Sequence, residues 1–389
     1  MVCEALLLAA ASAGGLALLS WLAVIFDPAR PWDLRPVGED EPAPPDPVAW
    51  PRVAVLVPAR NESASLGATL PALLAQDYPG EWKIVLVDDR SDDGTAAVAR
   101  RVAAREGRLT VVEGAGLPAG WVGKVWALEQ GVRVAGPAEY LLLTDADIRH
   151  APGSLRRLVA ESEAAGLALN SRMARLRCES GPERLLIPPF LFFFNLLYPM
   201  RRVNEPESKV AASAGGCELL RHDALELAGG LVAIRGEIID DVTLARRTKR
   251  LGEPIRLSVS RRDVESLRVY GSAGAVWRMV RRTAFDELRY SWLLLAGTLL
   301  ALLVLFPLPP LLALAGVALA ATGDWGWALA LGPAGLGAWV LMAFAFRRTV
   351  RYFGLPGAWA WTLPLGGTLY GGMTFDSALR HLARKSSPW

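Results

Sequence analysis

The chain has 389 residues, 42 basic against 39 acidic, with 52% apolar and only 21% charged side chains, and a mean hydropathy of +0.27. This excludes a small peptide scaffold and, since the basic residues are scattered rather than gathered in a stripe, leaves no electrostatic footprint for nucleic acid; it points to membrane segments joined to a folded domain. Three widely separated cysteines, Cys3, Cys178 and Cys217, exclude a disulfide framework and a zinc site, and suit a reducing compartment.

Residues 1–27 read as an anchor. Ala5 to Phe26 is free of charge and long enough to cross the roughly 30 Å hydrocarbon layer as a helix. Arg30, Arg35 and Arg52 follow it and no base precedes it, so the positive-inside rule places the N-terminus outside and the following chain in the cytoplasm. Residues 28–51, dense in proline and acid, read as a linker.

From residue 52 the pattern changes. "RVAVLVPA", "KIVLVDD", "LTVVEG", "EYLLLTDAD" and "GLALNSRM" are continuous apolar runs separated by helical stretches, the pattern of parallel strands covered on both faces, so an α/β domain is expected over 52–290. Within it, 185–203 opens with "LLIPPFLFFFNLLYPM", too short and too proline-broken for a comfortable span. A membrane-interface segment is expected there, presenting Phe190, Phe192, Phe193, Phe194 and Tyr198 to lipid or acceptor between Arg184 and Arg201–Arg202. Over 291–376 come about three further membrane helices, the first broken by "FPLPP" at 306–310, the last glycine-rich and either re-entrant or surface-lying; 377–389 is a basic tail.

Chemistry-bearing residues cluster where the strands end. Pro58, Arg60, Asn61 and Glu62 follow the first run, and Asp88 and Asp89 the second, where open α/β sheets bind ligands. The segment 92–95 also reads as a helix cap, but a cap does not account for the Asp88–Asp89 pair, whose acceptor oxygens suit a base edge or a ribose hydroxyl. "LLLTDAD" puts Asp145 and Asp147 just past a strand, as hard oxygen ligands for a divalent cation that bridges to phosphates. Lys124, one of only five lysines against 37 arginines, opens a helix after "GWVG", where it is either solvated or placed for an anionic phosphate. In "GEIIDDVTL" the pair Asp240–Asp241 is either a helix-start feature or, facing a partly apolar cleft, a general base. "WRMVRR" places Arg278, Arg281 and Arg282 before a membrane segment, as a headgroup anchor or a diphosphate clamp. No GxGxxG follows the first strand, there is no Walker motif or GxSxG elbow, and His150, His222 and His381 lack metal or triad spacing.

Taken in order, "VPARNE", "VDDRSDDGT", "TDAD", "IIDD" with "VTLARR", and "RMVRR" resemble the family 2 glycosyltransferases with the GT-A fold. "GWVGKVWALEQG", "LRCESGPERLLIPPFLFFF" and "WRMVRRTAFDELRYSWLLLAGTLL" are most similar to the hopene-associated glycosyltransferases of bacteria, and more distantly to ceramide glucosyltransferases. The resemblance implies a GT-A (Rossmann-like) domain with one N-terminal and about three C-terminal membrane helices. It implies an inverting enzyme of the bacterial inner membrane, catalytic domain facing the cytoplasm, that moves a sugar from a UDP-sugar to a lipid hydroxyl. It also implies roles: Glu62, Asp89 and the 58–61 loop for uridine, Asp145 for the ribose and diphosphate, Asp147 for Mg2+ or Mn2+, Asp241 as base, and Arg278 and Arg281 on the diphosphate. Two departures from the family pattern stand out: Arg282 occupies a tryptophan position, and the acid pair is Asp-Asp rather than Glu-Asp. Polyprenyl-phosphate transfer, processive polysaccharide synthesis and a non-catalytic nucleotide- or lipid-binding module are the competing readings.

Overall fold

The computed structural model describes residues 2–36 and 44–383; part of the proline-rich linker and most of the basic tail lie outside them. The described residues divide into two compact units, one of residues 2–34, 178–199 and 270–383, the other of residues 35–36, 44–177 and 200–269. The segment 178–199 and the stretch from Tyr270 onward, read in the sequence as parts of the α/β span, therefore belong to the helical unit.

Among the described residues the α/β unit has nine strands: β1 (Val53–Ala59), β2 (Trp82–Asp88), β3 (Leu109–Glu113), β4 (Tyr140–Leu143), β5 (Ile148–His150), β6 (Leu169–Met173), β7 (Glu218–Arg221), β8 (Ile255–Val259) and β9 (Val264–Ser266). Seven form one sheet in the order β3-β2-β1-β4-β7-β6-β8, and β5 pairs with β9 in a second ladder. Every residue of β1 is buried, as a continuous Val/Leu run with layers on both faces requires. β1 runs parallel to β2 and β4, and β2 to β3, so their carboxyl ends open on one edge. The five apolar runs read as parallel strands, β1, β2, β3, β4 and β6, do run parallel, and β7, which was not among them, lies antiparallel between β4 and β6. That four-residue strand begins with Glu218, so its sequence carries no apolar run from which a direction could be read.

In the helical unit, Glu4–Phe26, Trp292–Ala321 and Trp325–Tyr352 are long and apolar enough to cross a membrane. Phe306 interrupts the second, dividing it into Trp292–Leu305 and Leu308–Ala321. The final helix, Leu363–Leu382, which the sequence suggested is re-entrant or surface-lying, is not among the candidate spans within the described residues. A Cβ on Gly316 would meet Gly332 Cα at 2.5 Å, so only glycine permits this approach of two membrane-type helices.

The helix Gly181–Leu197 continues through Pro188 and Pro189, started by a capping box between Ser180 and Glu183. The Tyr370 hydroxyl donates to the Leu186 carbonyl at 2.9 Å, serving the turn that the prolines weaken. Its phenylalanines do not form one outward face. Phe192 is 1% exposed, stacked on Trp21 and edge-on to Phe346; Phe193 packs against Phe306 and Tyr370. Tyr198 is also buried and donates to Glu287. Phe192 and Tyr198 are thus packing residues rather than lipid-facing ones, because neighbouring aromatics in their own unit cover them; Phe190, Phe193 and Phe194 are half-buried.

Candidate active site

Three turns at the carboxyl ends of β1, β2 and β4 supply most of the polar groups. After β1, Asn61 takes a left-handed backbone (φ 56°), and after β2 Arg90 does the same (φ 55°). The two turns are stitched together: Asn61 N–H donates to Ser91 Oγ (2.9 Å), Asp92 N–H to Asn61 Oδ1 (3.0 Å), Glu62 N–H to Thr95 Oγ1 (2.8 Å) and Ser63 N–H to Asp93 Oδ2 (3.0 Å). Asp93 is thus more than a cap of its own helix. It also holds the start of the helix Ser63–Leu74, and these hydrogen bonds keep its carboxyl well below the usual range.

Asp89 is 1% exposed and pairs with Arg60 and Arg90, each at 3.5 Å. Asp88 is buried beside it, and its Oδ1 has no hydrogen-bond partner among the described residues. A buried carboxylate oxygen left this way at a strand end is an acceptor awaiting a donor.

The TDAD turn is braced from below. Thr144 Oγ1 donates to the Gly216 carbonyl at 2.8 Å and contacts His150 Nε2 at 2.8 Å, while His150 Nδ1 lies 3.2 Å from Ser154 Oγ. Burial pushes His150 down to about 4, so the ring is neutral and acts as a brace. Above it, Asp145 Oδ1 meets Lys124 Nζ at 2.9 Å, and Lys124 reaches Asp240 Oδ2 at 3.6 Å. Burial opposes the lysine charge, but Asp145, Asp240 and Asp241 outweigh it and raise its pKa above the ordinary value. Asp147 accepts from Ser266 Oγ (2.8 Å) and Arg268 Nε (3.1 Å).

Asp240 and Asp241 open the helix Asp240–Arg250. Asp241 Oδ1 accepts from its neighbour's amide, Val242 N–H (2.8 Å), and Oδ2 from Gly215 N–H (2.9 Å). A Cβ at Gly215 would stand 2.8 Å from Lys124 Nζ and 3.3 Å from Asp241 Oδ2, so the bare backbone is what lets lysine and carboxylate share this space. Burial and then the Asp240 charge push Asp241 up to about 6, against the pull of Lys124.

Glu218, at the start of β7, was not singled out in the sequence. It is 2% exposed, and burial followed by repulsion from Asp241 pushes it up to about 8. Because its proton is held more tightly in the folded chain than at the ordinary value of 4.5, folding stability is expected to fall as pH rises from about 4.5 to about 8. Glu218→Gln, uncharged throughout, is expected to flatten that decline. Melting temperatures of both proteins at pH 5.5 and 8.5 test this, and parallel pH dependences would contradict it.

Gly215, Glu218, Ser266 and Arg268 thus join Arg60, Asn61, Glu62, Asp88, Asp89, Lys124, Asp145, Asp147, Asp240 and Asp241 in one unit. Pro58 lies within β1 itself. Arg278, Arg281 and Arg282 belong to the helical unit, on the helix Ala273–Glu287. There Arg281 pairs with Asp376 at 3.3 Å, Trp277 Nε1 donates to the same carboxylate at 2.8 Å, and Arg278 and Arg282 are exposed.

Residues 54–228, which include the polar turns after β1, β2 and β4 and the TDAD turn, are matched by the family described as Glycosyl transferase family 2. The match covers less than half of the chain, and Asp240, Asp241 and Arg268 lie beyond it. A mannosyltransferase from Pyrobaculum calidifontis, solved in complex with GDP-Man and Mn2+, shares the GT-A fold, with a TM-score of 0.58 and 22% identity, covering 97% of this chain and 99% of that one. A dodecaprenyl-phosphate galacturonate synthase from Rhizobium johnstonii is 32% identical over 32% of this chain and 36% of its own length. A beta-monoglucosyldiacylglycerol synthase from Synechocystis is 35% identical over 29% of this chain and 23% of its own length. The chain thus spans 36% or less of the length of either curated relative.

Proposed function

We propose that this protein transfers a sugar from a nucleotide-sugar donor to a membrane lipid, with inversion at the sugar carbon. The observation that carries the reading is the convergence of two motifs almost a hundred residues apart on one side chain: Lys124 binds Asp145 of the TDAD turn and Asp240 of the acid pair, with Asp241 beside them. This brings one base, two oxygen ligands and a cation to the open edge of the sheet.

Asp241 takes the proton of the acceptor hydroxyl as that oxygen attacks the anomeric carbon; a carboxylate raised to about 6 is ionised at neutral pH and more basic than an exposed one. Asp88, Asp89 and the 58–62 turn are assigned to the nucleoside, and Lys124 to the departing diphosphate. A divalent cation fits this donor set. Among the described residues no three metal-ligand side chains cluster, but Asp145 and Asp147 supply two hard oxygen ligands, a number that substrate phosphates complete in Mg2+ sites; here each is paired with a cationic side chain, Lys124 and Arg268. When bound by Asp147 and Asp145, Mg2+ or Mn2+ would offset the charge of the leaving diphosphate; the Mn2+ in the archaeal mannosyltransferase supports this.

The three membrane-length helices support a lipid acceptor and an inner-membrane enzyme with its catalytic unit in the cytoplasm. A lipid hydroxyl, including that of a hopanoid, is the preferred acceptor because a positioned base is present. The name of the Rhizobium relative favours a polyprenyl phosphate as the second reading. Nucleotide release by the purified full-length protein from UDP- and GDP-sugars, with Mg2+ or Mn2+ and with each lipid class, tests the proposal. Release that requires both metal and a lipid is expected. No release from any combination by folded protein would overturn it.

A further inference from the structure

Asp147 and Glu62 come from different strand ends, yet they meet on one side chain that no sequence motif marks. Arg268 Nη2 donates to Glu62 Oε1, and its Nε donates to Asp147 Oδ2 at 3.1 Å. Its position is built into the backbone. β9 pairs with β5 so that Ser266 faces Ile148, Leu267 N–H donates to the Asp147 carbonyl at 2.9 Å, and the guanidinium follows directly after. The Arg268 side chain is 47% exposed, whereas those of Glu62 and Asp147 are 16% and 8% exposed. The acids are therefore tucked into the protein, and their counter-charge lies on the solvent side of them.

An ordinary surface ion pair needs none of this. Half-exposed pairs contribute little to stability, and a fork shared between two mostly buried carboxylates has to be explained by the carboxylates. Burial raises the Glu62 pKa, with Asp147 adding to the rise and Arg268 opposing it. Without that guanidinium the two acids would be left as neighbouring like charges.

We infer that Arg268 is the resident counter-cation of the donor site, neutralising Glu62 and Asp147 in the donor-free protein and competing with a divalent cation for Asp147. This rests on the reading of Asp147 as a metal ligand. Loading of a metal–nucleotide diphosphate then exchanges one cation for another at Asp147, and the displaced guanidinium, a good match for phosphate oxygens, remains beside the diphosphate.

The test is Mn2+ binding to the detergent-solubilised full-length protein, followed by the paramagnetic resonance signal of free Mn2+, with and without UDP or GDP. Without nucleotide, Arg268→Gln is expected to bind Mn2+ about five-fold more tightly than wild type, the size of a half-exposed ion pair's contribution. With nucleotide the gain is expected to shrink, because the wild-type guanidinium then has a second anion to meet. Arg268→Lys keeps the charge but not the fork and is expected to give a smaller gain; it supplies the measurement if the glutamine variant does not fold. Unchanged or weaker Mn2+ binding in both variants, in a protein whose wild type binds Mn2+ with nucleotide, overturns the inference and leaves the donor-site reading standing. Absence of Mn2+ binding by the wild type with either nucleotide, with Asp147→Asn no different, overturns both.

Discussion

Asp241→Asn is expected to lower sugar transfer to a lipid hydroxyl by about 10²- to 10⁴-fold, the range that a positioned general base contributes. The substitution keeps the shape of the side chain and removes its proton affinity. It also carries a local cost. Both carboxylate oxygens accept backbone N–H groups, from Val242 and Gly215, so the asparagine NH2 must face one of them donor to donor. Nucleotide affinity and the melting curve of the variant separate this cost from the loss of the base. In the wild type the rate is expected to fall as pH drops below about 6, where Asp241 takes up a proton, and the variant's residual rate should lack that limb. A phosphate acceptor is already ionised and needs no base, so a loss of less than about ten-fold would move the acceptor to a polyprenyl phosphate.

Asp147→Ala is expected to have an effect of similar size for a different reason. A metal-held diphosphate stabilises a transition state by several kcal/mol, and each 1.36 kcal/mol is a factor of ten, so a loss of about 10² or more is expected. Chelation of the metal should bring the wild type down to the level of the variant and leave the variant unchanged. The substitution also deprives Ser266 and Arg268 of a shared acceptor, which a melting curve will register. If Asp147→Ala retained half the wild-type rate and still responded to chelation, the metal would have to be assigned elsewhere.

The parts of the fold and site that were legible in the sequence are those where composition breaks abruptly. β2 and β4 are apolar runs that stop at or just before acids, and an acid at the end of a buried strand is conspicuous whatever the fold, so Asp88, Asp89, Asp145 and Asp147 could be named. Lys124 drew notice because lysine is scarce in this chain. Arg268 is one of 37 arginines, and only the pairing of β9 with β5 brings it to Asp147. Glu218 begins a four-residue strand and is buried solely because β4 and β6 flank it, a fact of tertiary pairing with no periodic signal of its own. The aromatic run at 190–194 suggested a lipid-facing surface from hydrophobicity alone. Hydrophobicity does not distinguish lipid from a neighbouring helix, and Phe192 found the helix.

The ladder between β5 and β9 also bears on how the site comes into being during synthesis. The TDAD turn leaves the ribosome more than a hundred residues before Ser266 and Arg268 do, and the apolar helix Gly181–Leu197 emerges in between. Until β9 is made, Asp147 has neither its hydroxyl donor nor its guanidinium, and β5 is a three-residue strand with an open edge. Contacts of such long sequence separation form late and pay their loop-closure entropy last. The nascent α/β unit therefore spends the interval with Glu62 and Asp147 lacking their shared guanidinium, and this edge is completed only when a short stretch near the end of the unit closes the ladder.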